Sequence, residues 1–165
     1  MIKDLHIRDI SLQDLPFLKR MLYESIYIPD GMSPLPESVI ESPELLKYHA
    51  GWGRKGDMGL VVLFNNTMVG CIWLRLFKKP DTGYGYINDS IPELGMAVLP
   101  EYRGKGIGSK LLNVLLIKAS EYGYNAISLS VNKHNKAINL YKRTGFVIYC
   151  EEDNAFTMVK HLKDN

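Results

Sequence analysis

The chain has few of the features that mark secreted, membrane-bound or metal-binding proteins. Only two of its 165 residues are cysteines, Cys71 and Cys150, and they form no CxxC pair. The four histidines are scattered, without the short spacing of a zinc site. No long apolar run follows the first residues, so a secretory signal or membrane span is not expected. These absences predict a cytoplasmic protein with no metal centre.

A strong charge of either sign is also missing. Lys and Arg number 20 and Asp and Glu number 18, which leaves a net charge of +2. That charge is too small to indicate a nucleic-acid or anionic-membrane partner. Hydrophobic residues make up 46% and charged residues 23%, close to the averages of globular proteins. Because no repeat or long linker divides the chain, we expect residues 1–165 to form a single domain.

The order of the apolar patterns predicts a mixed sheet with helices around it. Period-two or continuous apolar segments predict seven strands, at about 5–10, 58–64, 68–77, 92–99, 127–131, 146–150 and 156–161. Helical spacing predicts a helix from 12 to about 27, one or two short helices within 38–48, a helix that ends at Gly123, and another from Asn135 to Gly145. We therefore predict one mixed sheet of about seven strands with about four helices.

The most informative stretch, residues 101–110, lies between the fourth strand and a helix. It holds three alternating glycines and three cations, Gly104, Gly106, Gly108, Arg103, Lys105 and Lys110. Glycines let a backbone approach a ligand closely. The first turn of a helix has unpaired amide hydrogens and a partial positive charge, which suit a phosphate group. The stretch therefore predicts a pyrophosphate site, although a glycine-rich turn that only begins a helix would share these letters.

Two common phosphate-binding motifs do not fit this stretch. The nucleoside-triphosphate loop needs two glycines five residues apart followed by Lys and then Ser or Thr, but Gly104 and Gly108 are four apart and Ser109 precedes Lys110. The dinucleotide fingerprint fails at its last glycine position, which holds Ser109 or Leu111. What does match is Arg-x-x-Gly-x-Gly, beginning at Arg103.

Two segments together resemble the GCN5-related N-acetyltransferases. In that family the coenzyme A loop reads Gln/Arg-x-x-Gly-x-Gly/Ala between a strand and a helix. The second segment is similar to the family's Asn-x-Ala-x-x-Leu-Tyr-x-x-x-Gly-Phe, through Asn135, Ala137, Leu140, Tyr141, Gly145 and Phe146. The resemblance covers residues 4–161 in layout, with its specific letters within 93–146. It implies an α+β fold with three α/β/α layers and a mixed, mostly antiparallel sheet.

The resemblance also implies a cosubstrate, acetyl-CoA, and the residues that bind it. The backbone amides of one run would hold the coenzyme: Arg103, Gly104, Lys105, Gly106, Ile107, Gly108 and Ser109. The fourth strand would be splayed from its neighbour, so that the backbone of Met96, Ala97 and Val98 pairs with the pantetheine arm. The Met96 amide would polarise the thioester oxygen. Asn135, which caps its helix in any reading, and Tyr141 would also contact the coenzyme.

Acetyl transfer from a thioester to an amine needs a proton for the thiolate and a base for the amine. By resemblance Tyr141 is the candidate acid, because a phenol of pKa ~10 is protonated at neutral pH. Glu93 is the candidate base, acting on the amine through water. The ordinary alternatives stay open at this point, since Tyr141 could be a core tyrosine and Glu93 a solvated glutamate at a strand end.

The acceptor is an unidentified primary amine on a small molecule or a peptide. We expect its site within residues 23–52 and 84–86, where Glu24, Tyr27, Trp52 and Tyr86 could bind a cation or simply pack. No cysteine lies in either motif, which favours direct transfer in a ternary complex. Homodimers are common in the family.

Three other functions compete with acetyl transfer. One is an acyltransferase for a longer acyl chain or a hydroxyl acceptor. Another is an acyl-CoA-binding sensor or partner domain without turnover. The third is a nucleotide-phosphate binder, which the failed spacings already disfavour.

Overall fold

The computed structural model describes residues 2–163, and within them the chain forms one seven-stranded sheet and four α-helices. The strands are β1 (Leu5–Asp9), β2 (Met58–Phe64), β3 (Thr67–Arg75), β4 (Glu93–Val98), β5 (Ala126–Asn132), β6 (Val147–Glu151) and β7 (Ala155–His161). The helices are α1 (Leu15–Glu24), α2 (Pro43–Leu46), α3 (Ile107–Tyr122) and α4 (Ala137–Arg143). Short 3-10 turns occupy Leu12–Asp14, Glu37–Glu41 and Pro100–Tyr102.

The strand order is β1-β2-β3-β4-β5-β7-β6, and every neighbouring pair is antiparallel except β4 and β5. One apolar cluster joins the sheet to α3 and α4, and a second joins it to α1. The helices therefore cover both faces. This arrangement confirms the expected α+β class with a mixed, mostly antiparallel sheet of seven strands and four helices.

The first helix is shorter than its apolar spacing predicted. It ends at Glu24 rather than near residue 27. The Ser25 hydroxyl donates to the Leu22 carbonyl at 2.6 Å, and the backbone N–H of Ile26 donates to the Tyr23 carbonyl in a tight turn. These local bonds satisfy carbonyls that a longer helix would have used.

The sheet separates between β4 and β5. Strand β4 pairs with β3 from Glu93 to Val98, but it pairs with β5 only at Glu93, opposite Ser128. Just before that point the Ser128 N–H donates to the Pro92 carbonyl at 3.0 Å. Beyond Leu94, the edge of β4 that faces β5 has no strand partner among residues 2–163. The predicted splay of the fourth strand is thus present.

Within residues 2–163, no helix combines the length and the apolar character needed to cross a membrane. The same residues contain no group of three or more His, Cys, Asp or Glu side chains that could hold a metal ion. Cys71 is buried and Cys150 is exposed, and both are free thiols.

Candidate active site

The glycine loop turns the chain from β4 into α3 by means of two left-handed residues. Gly104 has φ of 72° and Gly106 has φ of 83°, a region that side chains with a Cβ rarely adopt. Gly106 is the residue that immediately precedes α3. Gly108 differs, because its backbone is ordinary and a Cβ there would meet Leu140 and Met96 at 3.5 Å. Two of the three glycines are therefore required by the backbone itself.

The loop leaves a run of backbone N–H groups without a protein partner. Among residues 2–163, no acceptor receives a hydrogen bond from the N–H groups of residues 104–109. The first helical bond runs from the Lys110 N–H to the Gly106 carbonyl at 3.2 Å. Arg103 differs from the expectation, since its N–H donates to the Pro100 carbonyl at 3.2 Å. Six consecutive donors at the beginning of a long helix suit an anionic ligand.

Two of the three nearby cations bend back onto the protein. The Arg103 guanidinium donates to the Val98 carbonyl at 2.8 Å and lies 3.4 Å from the Glu24 carboxylate. The Lys105 ammonium donates to the Glu101 carbonyl at 3.1 Å. The Lys110 side chain is exposed in the first turn of α3. Arg103 and Lys105 thus make contacts within the protein beside the loop, and the Lys110 side chain extends to solvent.

The open edge of β4 presents alternate backbone groups to the gap. The Leu99 N–H donates to Val69 on the β3 side, whereas the Pro92 carbonyl accepts from Ser128 on the β5 side. Because backbone groups alternate along an antiparallel strand, those of Met96 and Val98 point into the gap. The backbone of Ala97 points at β3, and its side chain packs in the α1 cluster. Along this edge, Met96 and Val98 can pair with an extended ligand and Ala97 cannot.

Helix α4 reaches the same gap from the α3 side. The Asn135 side-chain carbonyl accepts the Ala137 N–H at 2.9 Å, so Asn135 caps the beginning of α4 as predicted. Leu140 and Met96 both lie 3.5 Å from the Cβ position of Gly108. Helix α4, strand β4 and the first turn of α3 therefore meet at one point.

Tyr141, the next residue of α4, is 7% exposed and packs edge-on against Phe146 at 5.7 Å. Burial raises the pKa of its phenol to about 12. Its hydroxyl makes no hydrogen bond to another described residue. Every buried side-chain oxygen or nitrogen of the described residues nevertheless has a partner, so the Tyr141 oxygen must reach accessible space. It packs as a core tyrosine would, but its hydroxyl is available to a ligand.

Glu93 lies at the point where β4 and β5 separate. It is only 5% exposed, so the solvated strand-end alternative does not fit. Its carboxylate accepts the Tyr48 hydroxyl at 3.0 and 3.1 Å and the Gly85 N–H at 2.7 Å. No salt bridge joins it to a described cation. Burial outweighs these hydrogen bonds and raises its pKa to about 7.

The candidate acid and base project from opposite faces of the sheet. Side chains alternate along β4, so Glu93 shares a face with Ala97, which packs in the α1 cluster. Tyr141 packs in the α3 cluster on the other face. The two candidate residues therefore lie on opposite sides of β4.

Sequence reasoning did not identify the groups that hold Glu93. Tyr48 lies in the segment predicted to hold short helices, and both Tyr48 and Gly85 lie within the ranges predicted for the acceptor site, but no pattern predicted that either contacts Glu93. A Cβ on Gly83 would overlap Glu93 Oε2, and a Cβ on Gly85 would lie 2.7 Å from the Leu129 carbonyl carbon. The glycines at 83 and 85 were the one signal in the sequence for a close backbone approach.

The four residues suggested for the acceptor site have different environments. Trp52 covers the buried Arg75 guanidinium at 5.2 Å, so it packs as the alternative proposed. The Tyr86 hydroxyl donates to Asp89 at 2.6 Å. Glu24 faces Arg103 in a cleft of about 220 Å³, and Tyr27 is half-buried nearby in sequence.

A second cleft lies on the Glu93 face of the sheet. Its volume is about 400 Å³, and it is lined by Tyr84, Ser130, Glu152, Asp153, Asn154 and Ala155. Tyr84 stacks on Tyr48, with 6.3 Å between the ring centroids. Tyr84 thus links the lining of the cleft to Tyr48, which holds the Glu93 carboxylate.

A family model described as "Acetyltransferase (GNAT) family" matches residues 22–146. The chain is 36% identical over 58 residues to the ribosomal protein bS18-alanine N-acetyltransferase of Haemophilus influenzae. The aligned segment covers 35% of this chain and 40% of the relative. It is 38% identical over 61 residues to the S-alkylcysteine N-acetyltransferase of Bacillus subtilis, 34% of each chain. These alignments span well under half the length of either relative.

Solved structures match over nearly the whole chain. The PaiA N-acetyltransferase of Thermoplasma acidophilum, in complex with coenzyme A, has a TM-score of 0.70 at 22% identity and covers 96% of this chain and 99% of its own. YncA of Salmonella typhimurium, a putative acetyltransferase with its cofactor acetyl-CoA, has a TM-score of 0.72 at 18% identity, with 99% and 96% covered. At such identities the likeness concerns the fold.

Proposed function

The chain belongs to the acetyltransferase (GNAT) family, and from this premise we propose that it is an acetyl-CoA-dependent N-acetyltransferase. The acceptor would be a primary amine that attacks the thioester directly in a ternary complex. The observation that carries the proposal is the continuity of two features. The N–H groups of residues 104–109 have no partner among the described residues, and they adjoin the unpaired edge of β4 at Met96 and Val98.

These features fit a coenzyme with an anionic diphosphate and an extended amide-containing arm. The unpaired N–H groups at the beginning of α3 would bind the diphosphate oxygens. The N–H groups of Met96 and Val98 would pair with the arm as an added strand does, and the Met96 N–H is the candidate for polarising the thioester oxygen. Bound there, the cosubstrate supplies an activated acetyl group.

The two titratable groups take complementary roles. Glu93, with a pKa of about 7, is partly ionised at neutral pH and can receive the ammonium proton of the acceptor through water. Tyr141 is protonated at that pH and can donate to the departing thiolate from the other face. In water, a phenol with a pKa of about 12 would be a weaker acid than the coenzyme thiol, so the proton transfer would be unfavourable. Burial also disfavours the thiolate, so the pKa of the thiol rises together with that of Tyr141.

A thiol-release assay with acetyl-CoA and a panel of amines tests the proposal. Release that requires both partners supports it, and calorimetry should give one coenzyme per chain. Binding without release for any amine would favour the sensor. Faster release from a longer acyl-CoA, or with an alcohol, would favour the other acyltransferases. Protection from thermal unfolding by ATP but not by acetyl-CoA would favour a nucleotide binder.

The acceptor panel should include small amines and peptide amino termini. The names of the two curated relatives suggest an S-alkylcysteine and a peptide that begins with alanine. The cleft that Glu152 and Asp153 line favours a cationic acceptor over an anionic one. A cytoplasmic location, a single domain over residues 1–165 and a homodimer stay predictions, and sedimentation at several concentrations tests the dimer.

A further inference from the structure

Glu93 is enclosed by two segments that are distant in sequence. Tyr48 follows α2 and reaches the carboxylate from 45 residues away. The strap, which we define as residues 81–86, covers it through the Gly85 N–H. The strap is itself tied down, because the Lys47 ammonium binds the Thr82 carbonyl at 3.0 Å and the Asp81 carboxylate at 2.8 Å.

The hydrogen bonds around the Tyr48 oxygen fix the direction in which its hydroxyl proton points. The Tyr84 N–H donates to the Tyr48 oxygen at 2.8 Å. The single Tyr48 proton must then point at Glu93, whose two oxygens lie 3.0 and 3.1 Å away. Oε1 also accepts the Gly85 N–H, whereas Oε2 accepts only a share of the Tyr48 proton. Oε2 therefore keeps the larger remaining capacity to accept a proton from water or from an amine.

Packing holds the Tyr48 ring in place. It meets Phe77 edge-on at 5.0 Å and stacks on Tyr84 at 6.3 Å. The chain on both sides of Tyr48 is held by Arg75, which donates to the Lys47 carbonyl at 2.9 Å and to the Ala50 carbonyl at 2.7 Å. Arg75 itself is fixed by Asp57. The hydroxyl thus has little freedom to leave the carboxylate.

We propose that Tyr48 is a positioning residue whose hydroxyl, directed by the strap, holds the Glu93 carboxylate in one orientation and stabilises its ionised form. The proposal concerns the state of Glu93, and its consequence for catalysis rests on the proposed role of Glu93 as base. Without the hydroxyl, the carboxylate would keep one neutral donor, the Gly85 N–H. The buried anion would be less stable and less well aimed.

Other charged and titratable groups around Glu93 are already committed elsewhere. Lys47 favours the anion from a distance but is paired with Asp81. Arg75 lies opposite Glu93 in register on β3 but is paired with Asp57. Tyr84 contributes its N–H rather than its hydroxyl. Among the described groups, Tyr48 is therefore the side chain through which the protonation of Glu93 is most directly set.

The test replaces Tyr48 by Phe, which removes one oxygen and keeps the ring contacts. Tyr124→Phe is the matched control, because Tyr124 is 8% exposed where Tyr48 is 9%, and its hydroxyl donates to the Gly56 carbonyl at 2.7 Å without contacting Glu93. The titration of Glu93 is followed directly by 13C NMR of the side-chain carboxyl in glutamate-labelled protein. The signal is assigned by its loss in Glu93→Gln.

We expect Y48F to move the Glu93 midpoint upward by about one pH unit and Y124F to leave it unchanged. The acidic limb of kcat/KM should move with it, while the KM for acetyl-CoA stays constant. If Y48F folds poorly, 3-fluorotyrosine at position 48 replaces it as the probe. That residue is a stronger donor, so it should move the midpoint downward.

An unmoved midpoint, or an equal movement in Y124F, would overturn the proposal. The proposed function fails in a different way. If the midpoint moves in Y48F but kcat/KM shows no limb at the midpoint in the parent protein, Tyr48 orients Glu93 and Glu93 is not the base.

Discussion

The gap between β4 and β5 differs from the junction of β1 and α1 in how each treats a buried carboxylate. Asp14 and Glu93 are each 5% exposed. Asp14 forms a two-point ion pair with Arg8 at 2.7 and 3.0 Å, and this pairing lowers its pKa to about 2. Glu93 has only neutral donors among the described residues, and burial raises its pKa to about 7. The two pKa values thus shift in opposite directions, because the pairing with Arg8 outweighs desolvation at Asp14, whereas desolvation outweighs the hydrogen bonds at Glu93.

The same contrast extends to other groups of the two regions. Around the gap, the Tyr141 hydroxyl and the N–H groups of residues 104–109 have no partner among the described residues. At the β1–α1 junction, Ser11 and Asp14 satisfy one another in a capping box. Polar groups left unsatisfied at one place in an otherwise satisfied fold are typical of a ligand site.

The largest expected effect comes from removing each carboxylate in turn. We expect Glu93→Gln to lower kcat at least about a hundredfold at neutral pH, because general-base assistance is lost. Asp14→Asn should leave kcat unchanged at temperatures where it is folded. The comparison breaks down if both variants lose turnover equally, or if E93Q retains the acidic limb of the parent. Steady-state kinetics from pH 5 to 9 measure both.

Tyr141→Phe sharpens the comparison on the other face of the sheet. We expect kcat to fall about 10- to 100-fold, since the thiolate loses its proton donor. The dissociation constant for coenzyme A, measured by calorimetry, should not change. Unchanged turnover would remove Tyr141 from the mechanism.

Two glycines, one in the loop before α3 and one directly after α3, allow a backbone position at the site to be compared with one outside it. Gly104 and Gly123 both have positive φ, and a Cβ at either position would meet nothing within 4 Å. Alanine at either position should lower the free energy of unfolding by about 1 kcal/mol, because a residue with a Cβ is strained at positive φ. Only Gly104→Ala should also weaken coenzyme binding, by about tenfold, because the N–H groups of the loop would be redirected. Equal affinities in the two variants would contradict the assignment of the loop.

The smallest effects are in the pH dependence of stability, where the two carboxylates act with opposite sign. Asp14 has a lowered pKa, so its contribution is present above pH 3.8 and is lost as the pH falls toward about 2. We expect about 1 kcal/mol, because the Arg8 side chain is 38% exposed. Glu93 has a raised pKa, so its contribution to the stability of the protein is present below pH 4.5 and is lost as the pH rises through about 7. Urea unfolding of D14N and E93Q should each remove one of these slopes and retain the other.

Most of the fold followed from local patterns. The seven strands lie where apolar periodicity placed them, within about two residues at their ends, and the glycine loop joins β4 to α3 as predicted. The end of α1 was misplaced because Ser25 bonds back to Leu22, a choice that apolar spacing does not report. The fold class and the family are confirmed, whereas the roles of Glu93 and Tyr141 stay predictions.

The environment of Glu93 could not have been predicted in the same way. Its partners Tyr48 and Gly85 lie 45 and 8 residues away along the chain. Neither belongs to a motif that names the other. Similarly, the letters at 96–98 do not show that Ala97 turns its backbone toward β3, because this depends on the register with Cys71.

By itself the sequence determined the features that depend on neighbouring residues: the left-handed glycines at 104 and 106, the free N–H groups at the beginning of α3, and the cap at Asn135. Those are properties of short segments, set by backbone sterics and helix geometry. Only the tertiary structure decided that, among residues 2–163, Glu93 is buried without a cation and Asp14 is buried with one. Burial and charge pairing depend on which distant segments pack together, and they determine which carboxylate can exchange a proton at neutral pH.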